Sequence, residues 1–157
     1  MSPAPAETSS LELKRNLPGE PARAFAAWTE PGRMERWFGP TEEFRTEVHE
    51  VDLRVGGRFR ITFFHAEKGT RHVVTGVYKE VDRSTRLVFT WEWLEGGQFE
   101  GETLVTIRFD PAESGTEMVV AHELFPNDAV RDDHEKGWTG CFVRLEKYLG
   151  GSETEGR

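Results

Sequence analysis

A single long amphipathic segment near the end of the chain, Asp128 to Leu149, constrains the fold more than any other feature. Its apolar side chains recur at spacings of three and four residues, which places them on one face of a helix. The residues on that face are His134, Trp138, Cys141, Phe142, Leu145 and Leu149. Since most preceding segments have the pattern of short strands, we expect this helix to cover the apolar face of a sheet. A functional site is therefore expected in the space between the helix and the sheet.

The segments before the helix alternate apolar and polar residues, which is typical of half-buried β-strands. From Val51 to Phe63 every odd position except Gly57 is apolar, so we predict a hairpin that turns at Gly56–Gly57. Further strands are predicted at Leu11–Leu17, Val73–Val81, Leu87–Trp93, Thr103–Phe109 and Glu117–Leu124. The short turns between these strands leave no room for helical crossovers, which predicts an antiparallel sheet of about six to seven strands.

The pattern changes after the first strand, where the apolar residues take a helical spacing. Pro21 suits the first turn of a helix, and Phe25 and Trp28 fall on one face of the segment PARAFAAWT. A second short helix is predicted from Gly32 to Phe38, because Gly39–Pro40 ends it. The predicted fold class is therefore α+β. It is a helix-grip fold, with a curved antiparallel sheet wrapped on the long C-terminal helix and two short helices after the first strand.

Length and composition indicate one domain that needs no metal or disulfide to fold. The 157 residues suffice for a sizeable core, and 11 Phe and 5 Trp concentrate the apolar surface in large rings. The two ends of the chain are rich in Pro, Ala, Gly and Glu, a composition typical of disorder. We therefore predict disordered tails at residues 1–9 and 150–157 and a single domain at residues 10–149.

Charge disfavours several classes of partner, and cysteine content indicates the cellular compartment. A net charge of −8 without a run of Lys or Arg disfavours nucleic acid and anionic membrane surfaces. Cys141 is the only cysteine, which excludes an intrachain disulfide and favours the reducing cytoplasm. Residues 1–10 lack the pattern of a signal peptide, and no apolar run approaches the roughly 18 residues of a membrane span. We expect a cytoplasmic protein with no nucleic-acid or membrane partner.

Four segments carry a combined pattern that is more specific than any one of them. They are AFAAWTEPGRMERWFGP (Ala24–Pro40), VDLRVGGRFRITF (Val51–Phe63), LVFTWEW (Leu87–Trp93) and HEKGWTGCFVRLEKYLG (His134–Gly150). In order and spacing they resemble the family named after the activator of heat-shock protein 90 ATPase, within the START-like or SRPBCC superfamily of pollen-allergen-like fold. The resemblance implies a six- or seven-stranded sheet that grips a C-terminal helix, with a deep apolar cavity between them.

The resemblance implies several functions without choosing among them, because fold analogy alone does not define an activity. Members of the superfamily resemble lipid carriers, polyketide cyclases, proteins that absorb reactive natural products, and co-chaperone domains. The first hypothesis is binding of a small apolar or aromatic ligand in the cavity. One alternative is a co-chaperone-like module that acts on heat-shock protein 90 in the stress response, and another is an enzyme of cyclase or hydrolase type. No cofactor is predicted, and a homodimer through an exposed strand edge stays an open alternative.

The candidate site consists of side chains that converge on the space under the helix. They are Trp28, Trp37, Phe38, Phe59, Ile61, Phe63, Phe89, Trp91, Trp93, His122, Trp138, Cys141, Phe142 and Leu145. Each of these has a structural alternative, because buried rings most often belong to an ordinary core. His122 is the candidate general base and needs a carboxylate partner, whereas His134 is expected near the cavity mouth. The five histidines form no metal-ligand spacing, so no metal site is predicted.

Overall fold

Seven strands form one antiparallel sheet in the computed structural model, which describes residues 8–97 and 99–155, with side chains up to residue 151. The elements are β1 (Ser9–Leu17), α1 (Pro21–Thr29), α2 (Pro31–Trp37), β2 (Phe44–Val51), β3 (Arg58–His65), β4 (Thr70–Asp82), β5 (Arg86–Glu95), β6 (Glu102–Ala112), β7 (Gly115–Phe125) and α3 (Asp128–Glu155). The strand order across the sheet is β1-β7-β6-β5-β4-β3-β2, and each neighbouring pair is antiparallel. The predicted α+β fold class is confirmed.

The connectivity is simple, because each strand from β2 to β6 pairs with the next strand along the chain. β1 lies beside β7, so the first strand and β2 occupy opposite edges of the sheet. The segment with α1 and α2 therefore carries the chain from one edge to the other. Register shifts within the β1–β7, β2–β3 and β4–β5 pairs indicate β-bulges, which bend strands and allow a sheet to curve around a helix.

The two short helices pack on the sheet through aromatic side chains. The Phe25 ring of α1 lies 5.7 Å from the Phe109 ring of β6. Trp28 Nε1 donates to the sulfur of Met118 on β7 at 3.2 Å. Trp37 Nε1 of α2 donates to the carbonyl oxygen of residue 27 at 2.9 Å, which joins the two helices across the break between them. These contacts explain why the two short helices carry so many large apolar residues.

The long helix covers the sheet as the spacing of its apolar residues predicts. Trp138, Cys141, Phe142, Leu145 and Leu149 are all buried, with exposed fractions of 5% or less. The helix continues to residue 155, past the predicted end at residue 149, and β1 already begins at residue 9. Residues 1–7 of the predicted N-terminal tail lie outside the described residues, and the domain boundaries stay a prediction. None of the helices in the described ranges combines the length and the apolar content that crossing a bilayer requires.

The predicted hairpin at Gly56–Gly57 is wrong in its first strand. β2 pairs with β3 only as far as Val51, and residues 52–57 form the connection between the two strands. Val55, which the alternation places on the buried face, is 64% exposed. The Gly57 amide donates to the Arg54 carbonyl at 2.8 Å, so the chain is already turning where the sequence pattern continues. The alternation of apolar and polar residues therefore continues after Val51, where the hydrogen bonds between β2 and β3 end.

Candidate functional site

An apolar pocket lies between the first half of α3 and the sheet. Its volume is about 270 Å³. The lining combines residues of α3, of strands β2 to β5, and of two connections. It consists of Phe38, Pro40, Phe44, Phe63, His72, Trp91, Trp93, Gly96, Gly97, Asp133, His134, Gly137, Trp138 and Cys141. The pocket is partly open to solvent, since Gly96, Gly97 and Asp133 are exposed.

One wall of the pocket is a face of α3. His134, Gly137, Trp138 and Cys141 follow the spacing i, i+3, i+4 and i+7, so they share that face. A Cβ atom built on Gly137 meets no atom within 4 Å. Glycine inside a helix is less stable than alanine by about 1 kcal/mol, so the sequence predicts that a close approach to the sheet or a slight bend of the helix compensates at Gly137 and Gly140. No such approach occurs at Gly137, where the missing side chain instead leaves space in the pocket wall.

The neighbouring glycine of the helix behaves in the opposite way. A Cβ atom on Gly140 would lie 2.1 Å from the Pro40 carbonyl oxygen, in the connection between α2 and β2. Arg144 of the same helix donates from Nη1 to the carbonyls of Gly39 and Thr41 at 3.1 and 3.2 Å. The expected close approach therefore exists at Gly140, but its partner is this connection and not the sheet. It holds the connection against α3 as a second wall of the pocket.

The sheet contributes a continuous set of aromatic rings. Trp91 and Trp93 are alternate residues of β5 and so lie on one face, with ring centroids 5.5 Å apart. The Phe63 ring of β3 lies 6.1 Å from Trp93, and Trp138 of α3 lies 5.2 Å from Trp91. Such edge and tilted arrangements contribute about 0.5–1.5 kcal/mol per pair beyond burial alone. The pocket surface is thus aromatic on both its helix side and its sheet side.

His122 of β7 is fully buried behind this wall, and both of its ring nitrogens take part in hydrogen bonds. Trp138 Nε1 donates to His122 Nδ1 at 3.0 Å, so the proton of the neutral ring is on Nε2. Nε2 donates to the Thr103 hydroxyl at 2.7 Å, and that hydroxyl donates to the Trp91 carbonyl at 2.9 Å. Burial, and then the charge of His134, lower the pKa of His122 well below its usual value. His122 therefore links α3 to the sheet as a neutral ring, and neither nitrogen is free to act as a general base.

His134 forms a second pair with a tryptophan at the pocket itself. Trp93 Nε1 donates to His134 Nε2 at 3.0 Å, and His134 Nδ1 donates to the Val130 carbonyl at 2.9 Å. Burial lowers the pKa of His134, while the bond to Val130 and the charge of Asp133 oppose that shift. A second proton would have to go on Nε2, where it would remove the acceptor for Trp93. The position of the Trp93 ring in the wall therefore depends on a neutral His134.

Trp91 differs from the other two tryptophans of the pocket because its Nε1 has no hydrogen-bond partner. Within residues 8–97 and 99–151 it is the single buried side-chain nitrogen or oxygen in this state. The Trp91 side chain is only 3% exposed. A buried donor that lacks a partner costs roughly 1–3 kcal/mol. The Trp91 N–H is therefore a polar group in an apolar wall whose hydrogen-bonding capacity is unused.

Cys141 is the lining residue whose side chain comes closest in chemistry to a nucleophile. Burial raises the pKa of its thiol to about 12, against the weaker opposing effects of the Gly39 backbone and Arg144. A thiol with this pKa stays protonated at neutral pH, and only the thiolate is nucleophilic. Cys141 therefore acts as an apolar part of the wall.

The rim of the pocket carries one carboxylate, that of Asp133, which is exposed. No lysine or arginine occurs among the described lining residues. His72 Nδ1 donates to the Gly96 carbonyl at 2.9 Å, and nearby Glu95 accepts two hydrogen bonds from Arg71 at 2.9 and 3.0 Å. In the part of the chain that the structure describes, no group of three or more His, Cys, Asp or Glu residues is placed to hold a metal ion.

The structure distributes the residues of the predicted site over three surroundings. Six of them line the pocket: Phe38, Phe63, Trp91, Trp93, Trp138 and Cys141. A separate void of about 10 Å³ is bordered by Phe38 and Trp91 and by four more predicted residues, Trp28, Phe59, Ile61 and Phe89. The remaining four are buried in the core and border neither space: Trp37, His122, Phe142 and Leu145.

The pocket also includes residues that the sequence did not single out as a site. They are Pro40, Phe44, His72, Gly96, Gly97, Asp133 and Gly137, to which His134 is added from the expected cavity mouth. The spacing from His134 and Trp138 is a signal that would have found Gly137. Phe44 lies on β2, whose position the misplaced hairpin concealed. The residues in the two connections carry no periodic signal.

The similarity of the chain to known proteins agrees with this fold. A family model described as Activator of Hsp90 ATPase homolog 1-like protein matches residues 19–150. A solved structure from Chromobacterium violaceum is 26% identical, covers 89% of this chain and 96% of its own, and has a TM-score of 0.80. The AHSA1 protein from Silicibacter pomeroyi is 25% identical, with 90% and 98% covered and a TM-score of 0.77. An AHSA1-like protein from Aeromonas hydrophila, at 21% identity, covers 92% and 94% with a TM-score of 0.78, a similarity of fold. No curated protein matches the sequence.

Proposed function

Since the chain belongs to the Activator of Hsp90 ATPase homolog 1-like family, we propose that its pocket binds a small apolar or aromatic molecule. The observation that carries the proposal is the aromatic pocket of about 270 Å³ between α3 and the sheet. Sites for small molecules are concave and mostly apolar, with volumes of a few hundred Å³. The family match explains the fold. The surface proposed to contact the ligand is formed by the aromatic side chains that line the pocket.

The volume of the pocket indicates the size of its ligand. An apolar cavity of about 150 Å³ holds a single benzene ring. The present pocket, at about 270 Å³, has nearly twice that volume. Flat rings fit its walls, because Trp91, Trp93 and Trp138 offer both ring faces and ring edges. Two fused aromatic rings are therefore the proposed size class.

A substitution that places a larger side chain in the pocket tests the proposal. In Gly137→Leu the new side chain starts where a Cβ meets no atom within 4 Å, and it occupies the volume that a ligand would take. A neutral two-ring compound such as 2-acetylnaphthalene is added to the wild-type protein and to the variant, and thermal unfolding is followed. The wild type should gain stability with ligand, by about 2.7 kcal/mol at a concentration of 100 times Kd. The variant should gain little or none.

The matched control is Gly32→Leu in α2. Gly32 is exposed, and a Cβ there also meets no atom within 4 Å, but this residue does not line the pocket. The control should respond to the compound as the wild type does. Equal responses of all three proteins, or no response of the wild type to a panel of neutral two-ring compounds, would contradict ligand binding in this pocket.

A second candidate function, interaction with the chaperone Hsp90, is favoured by the family match. We propose it as the alternative to be tested directly, by mixing the purified protein with Hsp90 and measuring ATP hydrolysis and co-purification. If the protein is a co-chaperone, the ATPase rate should rise with its concentration, and Gly137→Leu should act like the wild type. An unchanged rate together with no co-purification would remove this candidate.

A further inference from the structure

On the basis of the proposed function, we propose that His134 is a positioning residue of the pocket and makes ligand binding depend on pH. While its ring is neutral, His134 holds the Trp93 indole in the pocket wall, and the pocket binds its apolar ligand. When the ring takes up a proton, Trp93 loses its hydrogen bond and the affinity for the ligand falls. Acidification is therefore a signal for ligand release.

The hydrogen bonds of His134 leave a single position for a second proton. Nδ1 donates to the Val130 carbonyl at 2.9 Å, and Nε2 accepts the indole N–H of Trp93 at 3.0 Å. An imidazolium carries a proton on each nitrogen, and an indole nitrogen only donates. The Phe125 and Phe99 rings, 4.9 and 6.1 Å from the His134 ring, offer no acceptor. Protonation therefore sets two donors against each other and breaks the bond to Trp93.

Trp93 connects this bond to the ligand. Its ring lines the pocket, 5.5 Å from the Trp91 ring and 6.1 Å from the Phe63 ring. Trp93 is only partly buried, whereas Trp91 is 3% exposed, so packing alone fixes Trp93 less firmly. A Trp93 ring that leaves His134 changes the shape of the wall that a flat ligand contacts. His134 therefore acts on the ligand through Trp93.

The charged groups near the pocket act on His134 to different extents. Asp133 precedes it in α3 and favours the charged ring, but this carboxylate is exposed and water weakens its effect. Arg144 is ten residues further along the helix, about 15 Å along its axis, and donates to two carbonyls of the connection between α2 and β2. Glu95 is paired with Arg71 at 2.9 Å. Burial has the largest effect and lowers the pKa of His134, so the neutral ring is favoured at neutral pH.

Two other histidines lie close, and their hydrogen bonds distinguish them from His134. The His122 ring of β7 is 5.4 Å from His134, but it is fully buried, and burial lowers its pKa well below the usual value. The His72 ring of β4 is 6.5 Å from Trp93, and its Nδ1 donates to the Gly96 carbonyl at 2.9 Å. A second proton on His72 leaves that bond intact. His134 is therefore the histidine whose protonation acts on the position of Trp93.

The affinity for a neutral compound, measured as a function of pH, tests the inference. 2-Acetylnaphthalene does not ionise between about pH 8 and about pH 5, so a change in its Kd comes from the protein. Calorimetric titration of the intact protein gives Kd, and circular dichroism identifies the range in which the protein is folded. Kd should be constant at the alkaline end and then rise with falling pH, by up to about tenfold per pH unit below the pKa of His134.

Two substitutions of histidine by glutamine separate His134 from the rest of the lining. His134→Gln keeps an acceptor for Trp93 that does not titrate, so its Kd should not vary with pH, whatever its value at the alkaline end. His72→Gln is the matched control, because it removes a titrating ring from the same lining without removing the acceptor of Trp93. It should keep the pH dependence of the wild type. A dependence that survives in His134→Gln overturns the inference, and so does one that is lost in His72→Gln.

The indole N–H of Trp93 reports the hydrogen bond without any ligand. In ¹⁵N-labelled wild-type protein its resonance, assigned through its nuclear Overhauser contacts to His134, should move upfield as the pH falls. The midpoint should equal that of the change in Kd. A resonance that stays fixed while His134 titrates, or a wild-type Kd that is constant over the whole range, overturns the inference while ligand binding stands. Failure of this and other neutral two-ring compounds to bind at the alkaline end overturns the proposed function and the inference with it.

Discussion

The two halves of α3 cover the same sheet in different ways. In the second half, Phe142, Leu145 and Leu149 are at most 2% exposed and border neither the pocket nor the small void. In the first half, His134 and Gly137 are only partly buried and border the pocket of about 270 Å³. We call these parts the packed half and the open half of the helix. One continuous helix thus has an end that packs into the core and an end that borders a pocket.

The difference between the halves has a physical origin in side-chain volume. Interiors pack at nearly crystalline density where large side chains interdigitate. In the open half, residue 137 is a glycine that leaves space beside the helix, and His134 of α3 and His122 of β7 form hydrogen bonds to the Trp93 and Trp138 rings. These hydrogen bonds oppose any movement of the Trp93 and Trp138 rings into the free space. The same hydrogen bonds that satisfy buried nitrogens also hold the Trp138 and Trp93 rings beside the open space of the pocket.

Shortening a side chain in each half should produce the largest measurable contrast. Leu145→Ala in the packed half should lower the free energy of unfolding by about 2–5 kcal/mol, because the deletion leaves a cavity among fully buried neighbours. Cys141→Ala in the open half should cost about 1 kcal/mol, since its side chain already borders empty space. Denaturant unfolding followed by tryptophan fluorescence measures both values. Equal losses for the two variants would remove the distinction between the halves.

Adding one methyl group at Gly137 or at Gly140 of α3 should produce a smaller contrast, of opposite sign at the two residues. Gly140→Ala should destabilise the protein by about 1–3 kcal/mol, because its Cβ would lie 2.1 Å from the Pro40 carbonyl oxygen. Gly137→Ala is the matched control and should stabilise the protein by up to about 1 kcal/mol, since the methyl group meets no atom and alanine favours the helix. Thermal unfolding of the two variants gives the sign of each change. A destabilised Gly137→Ala protein would show that the space at residue 137 is not free.

Lowering the pH should destabilise the contacts around the open half through His134 of α3 and His122 of β7. Burial depresses the pKa of both His122 and His134 in the folded protein, so the unfolded chain binds more protons below the usual histidine pKa of about 6.5. Stability that is present above that pH is therefore lost as the pH falls, by up to about 1.4 kcal/mol per pH unit for each histidine. The loss ends once the pH passes below the depressed pKa values of the folded state.

Urea unfolding between about pH 8 and about pH 5 measures this dependence as a slope. His134→Gln keeps an acceptor for Trp93 but removes one titrating group, so its slope should be shallower than that of the wild type. A slope in the variant as steep as in the wild type would show that His134 does not contribute. A wild-type stability that stays constant over this range would contradict the neutral state of both rings.

Much of the fold is predictable from the sequence, because it depends on local periodicity. The alternation at Leu87, Phe89 and Trp91 places these residues on one face, and all three are buried in β5. The helical spacing of the last segment predicts the buried face of α3 in the same way. The end of a strand is less predictable, as Val55 shows, since the pattern of residue types continues after the last ladder hydrogen bond.

The candidate site is predictable only in part, because a pocket is a property of several segments together. The sequence selects Trp91, Trp93 and Trp138 as large rings on inward faces, and these rings line the pocket. It selects Leu145 for the same reason, yet Leu145 lies in the packed half. A ring beside a space and a ring in a packed core have the same spacing along the chain. Whether a neighbour fills the volume next to them depends on segments distant in the sequence.

Which face of each element is apolar follows from the sequence, because the backbone geometry of a strand or helix sets the period of its side chains. The contact of Gly140 with the Pro40 carbonyl, and the free space at Gly137, depend on the tertiary structure. The tertiary structure also decides that the Trp93 N–H reaches His134 while the Trp91 N–H has no partner among the described residues. These outcomes depend on contacts between residues many positions apart, which no local pattern contains.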